Sequence, residues 1–468
     1  MTTFESDGII RLFNFYFDGG RDVDLKKWKM KMTNTRLIAL SFVLVILVGA
    51  LLFCLPLSSS VGAWTSPVDA LFTATTSTCV TGLITVDTST HWSLFGQIVI
   101  LVLIQVGGIG FMTLITLFSF FVRHRVSLHE RRLLLQSAGA LHMSGVTATF
   151  RQIILGTLFI EGVGAALLSL RFYPLYGKVG IWYAVFHSVS AFCNAGIDLL
   201  GIHGSSSFSA YVGDPLVCGT LIFLIVMGGL GFLVWNDLLR AKFRFRKLDL
   251  HSKLVLTVTA ILLLGGWLLL ALTEWNASLS GLTFSEKLLA SLFQSVTTRT
   301  AGFTTVDQSS LSNSGAIVSM VLMFIGGSPG STAGGAKTTT VAVFFLCCLR
   351  LSRNRESVVV FKRRIDDRIV RQAGAVVCVY TLMILLATAI ICAIEPVGIR
   401  EALYEVVSAM ATVGLTMNLT FSLSTVSKLI LIVLMYAGRL GGLSLFLALA
   451  ENTESTPLDR PVEKILIG

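Results

Sequence analysis

At 468 residues, 54% hydrophobic and 13% charged, with a mean hydropathy of +0.80, the chain has too little polar surface for a water-soluble globule. A charge of +10 would suggest nucleic acid in a soluble protein, but 26 of the 36 Lys and Arg fall in four separate segments between apolar runs, which excludes one basic face. The eight Cys show no CxxC or Cys/His spacing and no nucleophile elbow, zinc or phosphate motif occurs, so disulfides, a metal site, a bound cofactor and an enzyme are not indicated.

Apolar runs such as Leu37 to Leu55, Leu254 to Leu272 and Leu429 to Leu449 approach the ~20 residues that a helix needs to cross ~30 Å of hydrocarbon. The first follows a polar segment of more than 30 residues without a small-residue cleavage site, so it reads as a retained span. The basic segments are the stretch to Arg36 and the loops Arg123 to Arg151, Arg240 to Lys253 and Arg350 to Arg371. The positive-inside rule makes them cytoplasmic, with a cytoplasmic N-terminus on a multi-pass protein.

Four segments share one pattern: FTATTSTCVTGL, FHSVSAFCNAGI, FQSVTTRTAGF and YEVVSAMATVGL. Their glycines, Gly82, Gly196, Gly302 and Gly414, are 114, 106 and 112 residues apart. The aromatics Phe72, Phe186, Phe293 and Tyr404 precede them by ten, ten, nine and ten residues. A second glycine patch follows 24 to 32 residues later, beginning at Gly107, Gly228, Gly326 and Gly438. Each repeat therefore reads as a span, a half-length segment ending in Gly, and a second span whose small residues permit close helix approach. The half-length segments, such as Pro67 to Ser77 and Ser285 to Thr297, are too short to cross and too polar to face lipid. They must dip in and return, which is tolerated only around a shared cavity. The fold class predicted is an all-α integral membrane protein of four tandem span, pore-helix, span repeats around a central pore, a potassium-channel-like pseudo-tetramer. Four parallel repeats count against an inverted-repeat secondary transporter.

Rings of backbone carbonyls replace the water shell of an alkali cation, and glycine lets successive carbonyls turn to one axis. Helix carboxyl ends aimed at the cavity favour cations. Asp87, Asp198 and Asp307, with Asn418, follow the four glycines and read either as an acidic vestibule or as solvated loop residues.

The second span of repeat 3 is interrupted by Gly326-Gly327-Ser328-Pro329-Gly330-Ser331-Thr332-Ala333-Gly334-Gly335, through which no helix runs. This is a loop inside the membrane. Arg439, in the matching patch of repeat 4, has three readings: a cationic barrier, a donor to the loop's carbonyls, or a structural brace. Lys337 reads as snorkelling to the interface. Glu161, in an apolar run, is either an ion- or proton-coupling group or an interhelical contact, and Arg299 reads as a brace of its pore helix.

On TSTCVTGL, SVTTRTAGF, GGSPGSTAGGAKTTT, YAGRLGGL and the ending EKILIG, the chain resembles the Trk/Ktr/HKT superfamily of potassium transporters, and within it the bacterial Ktr membrane subunit, over essentially its whole length. The resemblance implies potassium uptake across the bacterial plasma membrane. It implies a filter of Cys79, Val80, Thr81 and Gly82; Cys193, Asn194, Ala195 and Gly196; Thr300, Ala301 and Gly302; and Thr412, Val413 and Gly414. None of these is the TVGYG of true potassium channels, which implies a shorter filter. In this family four filter glycines go with potassium selectivity and serine in the first position goes with sodium permeation. A sodium-coupled or sodium-permeable symporter of the same fold is the other reading. The resemblance places a gate in the loop from Gly326 to Gly335, with Arg439 beside it. It implies a homodimer on a cytoplasmic ring of nucleotide-binding, RCK-type subunits, with the nucleotide on the partner, because this chain has no GxGxxG after a strand. The loop Arg350 to Arg371, with Val358-Val359-Val360-Phe361, fits either a docked protein or the anionic membrane lipid.

The organisation expected is a cytoplasmic segment 1–36 and repeats 37–122, 148–238, 252–350 (with the gate loop at 326–336) and 371–450. A cytoplasmic loop 351–370 and a tail 451–468 complete it.

Overall fold

The computed structural model describes residues 34–110, 146–201, 207–353 and 357–441. Most of the expected N-terminal segment, residues 123–145 of the second basic segment, the tail and the end of YAGRLGGL lie outside the described residues.

Repeat 1 comprises α1 (Asn34–Cys54), the short helix α2 (Pro67–Cys79) and α3 (Leu94–Ile109). Repeat 2 comprises α4 (Val146–Tyr176), α5 (Lys178–Phe192), α6 (Pro215–Leu230) and α7 (Phe232–Arg240). Repeat 3 has α8 (Leu250–Glu274), α9 (Phe284–Thr297), α10 (Asn313–Phe324) and α11 (Thr338–Ser352). Repeat 4 has α12 (Asp367–Ile394), α13 (Ile399–Ala411) and α14 (Thr425–Leu440). A two-residue hairpin, β1 (Val359–Val360) with β2 (Arg363–Arg364), joins the last two repeats, pairing Val359 with Arg364 and Val360 with Arg363.

The short helices α2, α5, α9 and α13 have 13, 15, 14 and 13 residues. At 1.5 Å per residue each spans about 20 Å, less than a bilayer's hydrocarbon. Local sequence starts them: Pro67 occupies the first turn of α2, and α9 carries a capping box in which Thr283 and Glu286 satisfy each other's backbone amides. Phe72, Phe186, Phe293 and Tyr404 are all fully buried, so the repeated aromatic anchors each short helix in the core.

Each repeat's second helix packs on the short helix of the next repeat: α3 on α5, α6 on α9, α10 on α13, and α14 back on α2. The four repeats therefore form a closed ring. Its seam between repeats 4 and 1 is tied by Lys428 to Asp69 at 2.9 Å and by the Tyr436 hydroxyl donating to the Ala39 carbonyl at 2.8 Å.

Among the described residues Gln152–Tyr176, Leu250–Glu274 and Asp367–Ile394 are long and apolar enough to cross unbroken, with α6 and α7 adding a fourth if their 90° bend lies within one span. Glycines of the second patches end three helices: Gly110, Gly231 and Gly441 close α3, α6 and α14 with φ of 91°, 92° and 84°, a conformation that stops a helix.

Candidate functional site: a ring of four glycines above a loop

Beyond each short helix the backbone turns left-handed twice. Val80, Asn194, Thr300 and Thr412 have φ of 56°, 60°, 68° and 53°, and the glycines two residues later have φ of 98°, 65°, 83° and 93°. Thr81, Ala195, Ala301 and Val413, in between, keep negative φ. Alternation in the sign of φ lets successive carbonyls face the same way.

A Cβ added to Gly82 would come within 3.0 Å of the Ala195 carbonyl oxygen, and Gly196, Gly302 and Gly414 abut the Ala301, Val413 and Thr81 oxygens in the same way. Each glycine therefore touches the carbonyl that precedes the next repeat's glycine, and the circuit closes from repeat 4 to repeat 1. An added Cβ would force the neighbouring main chain to shift, so in this conformation the constriction is walled by main chain. Cys79 and Cys193 are buried at the short-helix ends below it.

A hydroxyl in the last turns of each short helix holds the segment. The amides of Gly82 and Gly414 donate to Thr76 Oγ1 at 2.9 Å and Ser408 Oγ at 3.1 Å. Ser190 donates to the Ile197 carbonyl at 2.8 Å, and Thr297 to the Phe303 carbonyl at 2.6 Å. The sequence reading missed these four residues, although a Ser or Thr recurs five or six places before every ring glycine. The second glycine patches sit beneath: a Cβ at Gly107, Gly228 or Gly438 would collide with the carbonyl of Thr78, Phe192 or Met410. The small residues thus serve close approach of helix to pore-helix end, as their type implied.

The repeat 3 loop docks on the broken end of α6. The amide and hydroxyl of Ser328 donate to the Gly229 carbonyl at 3.1 and 2.9 Å, its hydroxyl also meets the Leu230 carbonyl, and the Thr332 amide reaches Gly228 at 3.3 Å. These are carbonyls that a helix end leaves without partners. In return the Phe232 amide donates to the Gly330 carbonyl at 2.9 Å. Gly334 lies against the Thr412 side chain, which puts the loop directly under the glycine ring. The Gly326 amide donates to Ala336 at 2.9 Å and closes the loop's base, while Pro329, Ser331 and Ala333 complete its turn, with Ser331 Oγ donating to the Ser328 carbonyl at 2.6 Å.

Arg439 is a donor: its guanidinium reaches the Thr332 carbonyl in the loop and the Gly107 and Gly108 carbonyls where α3 breaks, the last at 3.2 Å. Lys337 does not snorkel away; its ammonium donates to the Ala333 carbonyl at 2.6 Å. Arg299 braces the start of the loop, through the Gly326 carbonyl at 3.4 Å, rather than its own helix. Glu161 accepts from Gln105 at 3.1 Å, an interhelical contact between α4 and α3, and faces the Cys193 thiol. Asp87 caps a short helix through the amides of Ser89 and Thr90 at 3.0 and 2.9 Å, Asp198 accepts from the Leu200 amide at 3.0 Å, and Asp307 from that of Ser309 at 3.1 Å. Asn418 donates to Asp307 at 3.5 Å. These carboxylates are turn-forming groups around the ring's mouth.

Comparison with known proteins agrees with this plan. The profile of the TrkH cation transport protein family matches residues 16–458. The chain is 40% identical over 453 residues to the potassium/sodium uptake protein NtpJ of Enterococcus hirae, covering 95% of this chain and 99% of that one. It is 37% identical over 446 residues to the Ktr system potassium uptake protein B of Bacillus subtilis (94% and 98% covered). It is 38% identical over 473 residues to the Vibrio alginolyticus protein of that name (100% of both). The crystal structure of the potassium transporter TrkH from Vibrio parahaemolyticus superposes with a TM-score of 0.67 at 19% identity, covering 87% of this chain and 84% of that one, which shows a shared fold. These relatives are ion transporters, not enzymes, and the chain belongs to the TrkH family of cation transport proteins.

Proposed function

We propose that this chain takes up potassium across the bacterial plasma membrane, with the four-glycine ring as selectivity filter and the loop from Gly326 to Gly335 as gate. The observation that carries the reading is the closed circuit of Gly82, Gly196, Gly302 and Gly414, each against the next repeat's carbonyl. Main-chain oxygen around a fourfold axis suits a bare alkali cation. The loop's place against Thr412, with Arg439 joining its Thr332 carbonyl to the end of α3, supports its role as the barrier to be moved.

On this reading the pore helices enter from outside and the N-terminus is cytoplasmic. The basic turns Lys242 to Lys247 and the Phe361-Lys362 hairpin tip then face the cytoplasm, exposed. They support docking on a ring of nucleotide-binding, RCK-type subunits by a homodimer of this chain, as does resemblance to proteins named for a Ktr system. The nucleotide belongs to the partner. A second reading, sodium as permeant or coupling ion, is favoured by the relative named for potassium and sodium uptake.

The test is rubidium and sodium uptake into potassium-depleted cells lacking their own uptake systems, with the intact chain and with Gly82→Ser. Selective rubidium uptake by the intact chain and sodium entry with Gly82→Ser is the expected result. Sodium-dependent rubidium uptake by the intact chain supports the second reading. No flux from either version, both being present in the membrane with their partner, removes the pore assignment.

A further inference from the structure

Each pore helix carries a polar residue directly after its anchoring aromatic: Thr73, His187, Gln294 and Glu405. All four are buried. Three of them visibly reach past the helix to the segment that leaves the glycine ring. His187 Nε2 accepts from the Leu199 amide at 3.1 Å, Gln294 exchanges hydrogen bonds with Gln308 at 2.6 and 3.2 Å, and Glu405 accepts from the Thr420 hydroxyl. Gln308 and Thr420 both stand six residues past their glycines, so the contact recurs at one place in the repeat.

Glu405 stands apart in its chemistry. It is a fully buried carboxylate with no Lys or Arg at ion-pair distance among the described residues. Its Oε2 is buried without a hydrogen-bond partner. The Thr420 hydroxyl donates to its Oε1 and lies 3.3 Å from the Thr416 hydroxyl. A glutamine here would keep one acceptor and put an N–H donor in place of the other oxygen. The neighbouring Tyr404 hydroxyl donates to Gln308 Oε1 at 2.8 Å, which couples the repeat 4 strut to that of repeat 3.

We propose that Glu405 is a positioning residue that sets cation affinity and selectivity: by accepting from the Thr420 hydroxyl it holds the segment leaving Gly414, and so the geometry of the repeat 4 quarter of the ring. The proposal rests on the filter reading given under Proposed function. Repeats 1 to 3 carry Thr73, His187 and Gln294 at the same position, so the ring is not fourfold symmetric in its support.

The experiment measures KM and Vmax for rubidium uptake and the rubidium-to-sodium ratio for Glu405→Gln, Thr420→Val and Thr420→Ser in the full chain with its partner subunits. The amount of folded protein in the membrane is followed by size-exclusion of a fluorescent fusion, with Gly82→Ser in parallel. Loss of the buried hydrogen bond predicts about a tenfold rise in KM and fall in the ratio for Thr420→Val, a change of the same sign for Glu405→Gln, and near-normal values for Thr420→Ser. If Glu405→Gln does not accumulate, Thr420→Val decides. Unchanged KM and ratio, with uptake falling only in step with folded protein, overturns the proposal when Gly82→Ser shifts the ratio in the same assay. If Gly82→Ser leaves the ratio unchanged as well, the filter reading falls first and this proposal with it.

Discussion

Val80, Thr300 and Thr412 are β-branched residues in the left-handed region, where L-residues stand about 1–2 kcal/mol above the right-handed one. Such geometry persists where the surroundings over-determine it. Here the surroundings are the buried pore-helix ends and the hydroxyls that seize the ring backbone: in repeat 4 the Ser408 side chain takes the Gly414 amide at 3.1 Å and its carbonyl takes the Val413 amide at 2.8 Å. Ser408→Ala should therefore lower stability by about 1 kcal/mol, seen as an earlier thermal transition in detergent, and should lower the rubidium-to-sodium ratio. An unchanged ratio would mean that the main-chain contacts alone hold Gly414. The hydroxyls stood in the sequence five or six residues before each glycine but were not read there, because Ser and Thr are common in every such segment. The left-handed residues before the glycines were not legible either, since Val and Thr give no local warning of positive φ and adopt it here only under tertiary constraint.

The glycine-closed ends of α3 and α6 are where Arg439 and the loop find their acceptors. Arg439 ties Thr332 in the loop to Gly107 and Gly108 in repeat 1. Arg439→Gln shortens the reach and removes the charge, so the loop should loosen and resting cation flux should rise severalfold without the regulatory partner; hydrogen exchange at residues 326–335 should rise with it. Unaltered flux and exchange would leave Arg439 as a brace of α14 alone. At the far end of repeat 4, Glu395 joins the end of α12 to the start of α14, accepting from the Ser424 amide at 2.9 Å and the Ser427 hydroxyl at 2.7 Å. The hydroxyls of Ser424 and Ser427, then the Ser424 amide, hold this carboxyl below the usual range. A depressed folded pKa contributes stability that is present above the unfolded carboxylate value, ~4.3, and is lost as pH falls through the folded one. Glu395→Ala should thus lower the thermal transition at pH 7 by an amount that shrinks as pH falls below ~4.3; a deficit that stays equal at every pH would assign the effect to packing. Neither contact could be read from sequence: a Glu at a helix end says nothing of which serine 29 or 32 residues on it will meet.

At the scale of the molecule, the ring closes only because α14 packs on α2, hundreds of residues earlier, and Lys428 pairs with Asp69 across that seam. A double-mutant cycle on Lys428→Ala and Asp69→Ala should give a coupling of about 0.5–1 kcal/mol in thermal stability, the range of partly exposed pairs. A coupling of zero would leave seam closure to apolar packing. Sequence alone determined the membrane class, the count of four repeats, the half-length helices and the glycine at the end of each, because hydropathy, repeat period and the lack of a Cβ are properties of residues in order. It also located the repeat 3 loop, since Gly and Pro forbid a helix whatever surrounds them. Only the tertiary structure decided that α6 and α7 meet at a 90° bend, that Arg439 and Lys337 serve the loop's carbonyls, and that Glu405 meets Thr420. Those outcomes depend on which backbone groups lie unpaired when distant segments meet, and a buried charge goes to whichever of them is within reach.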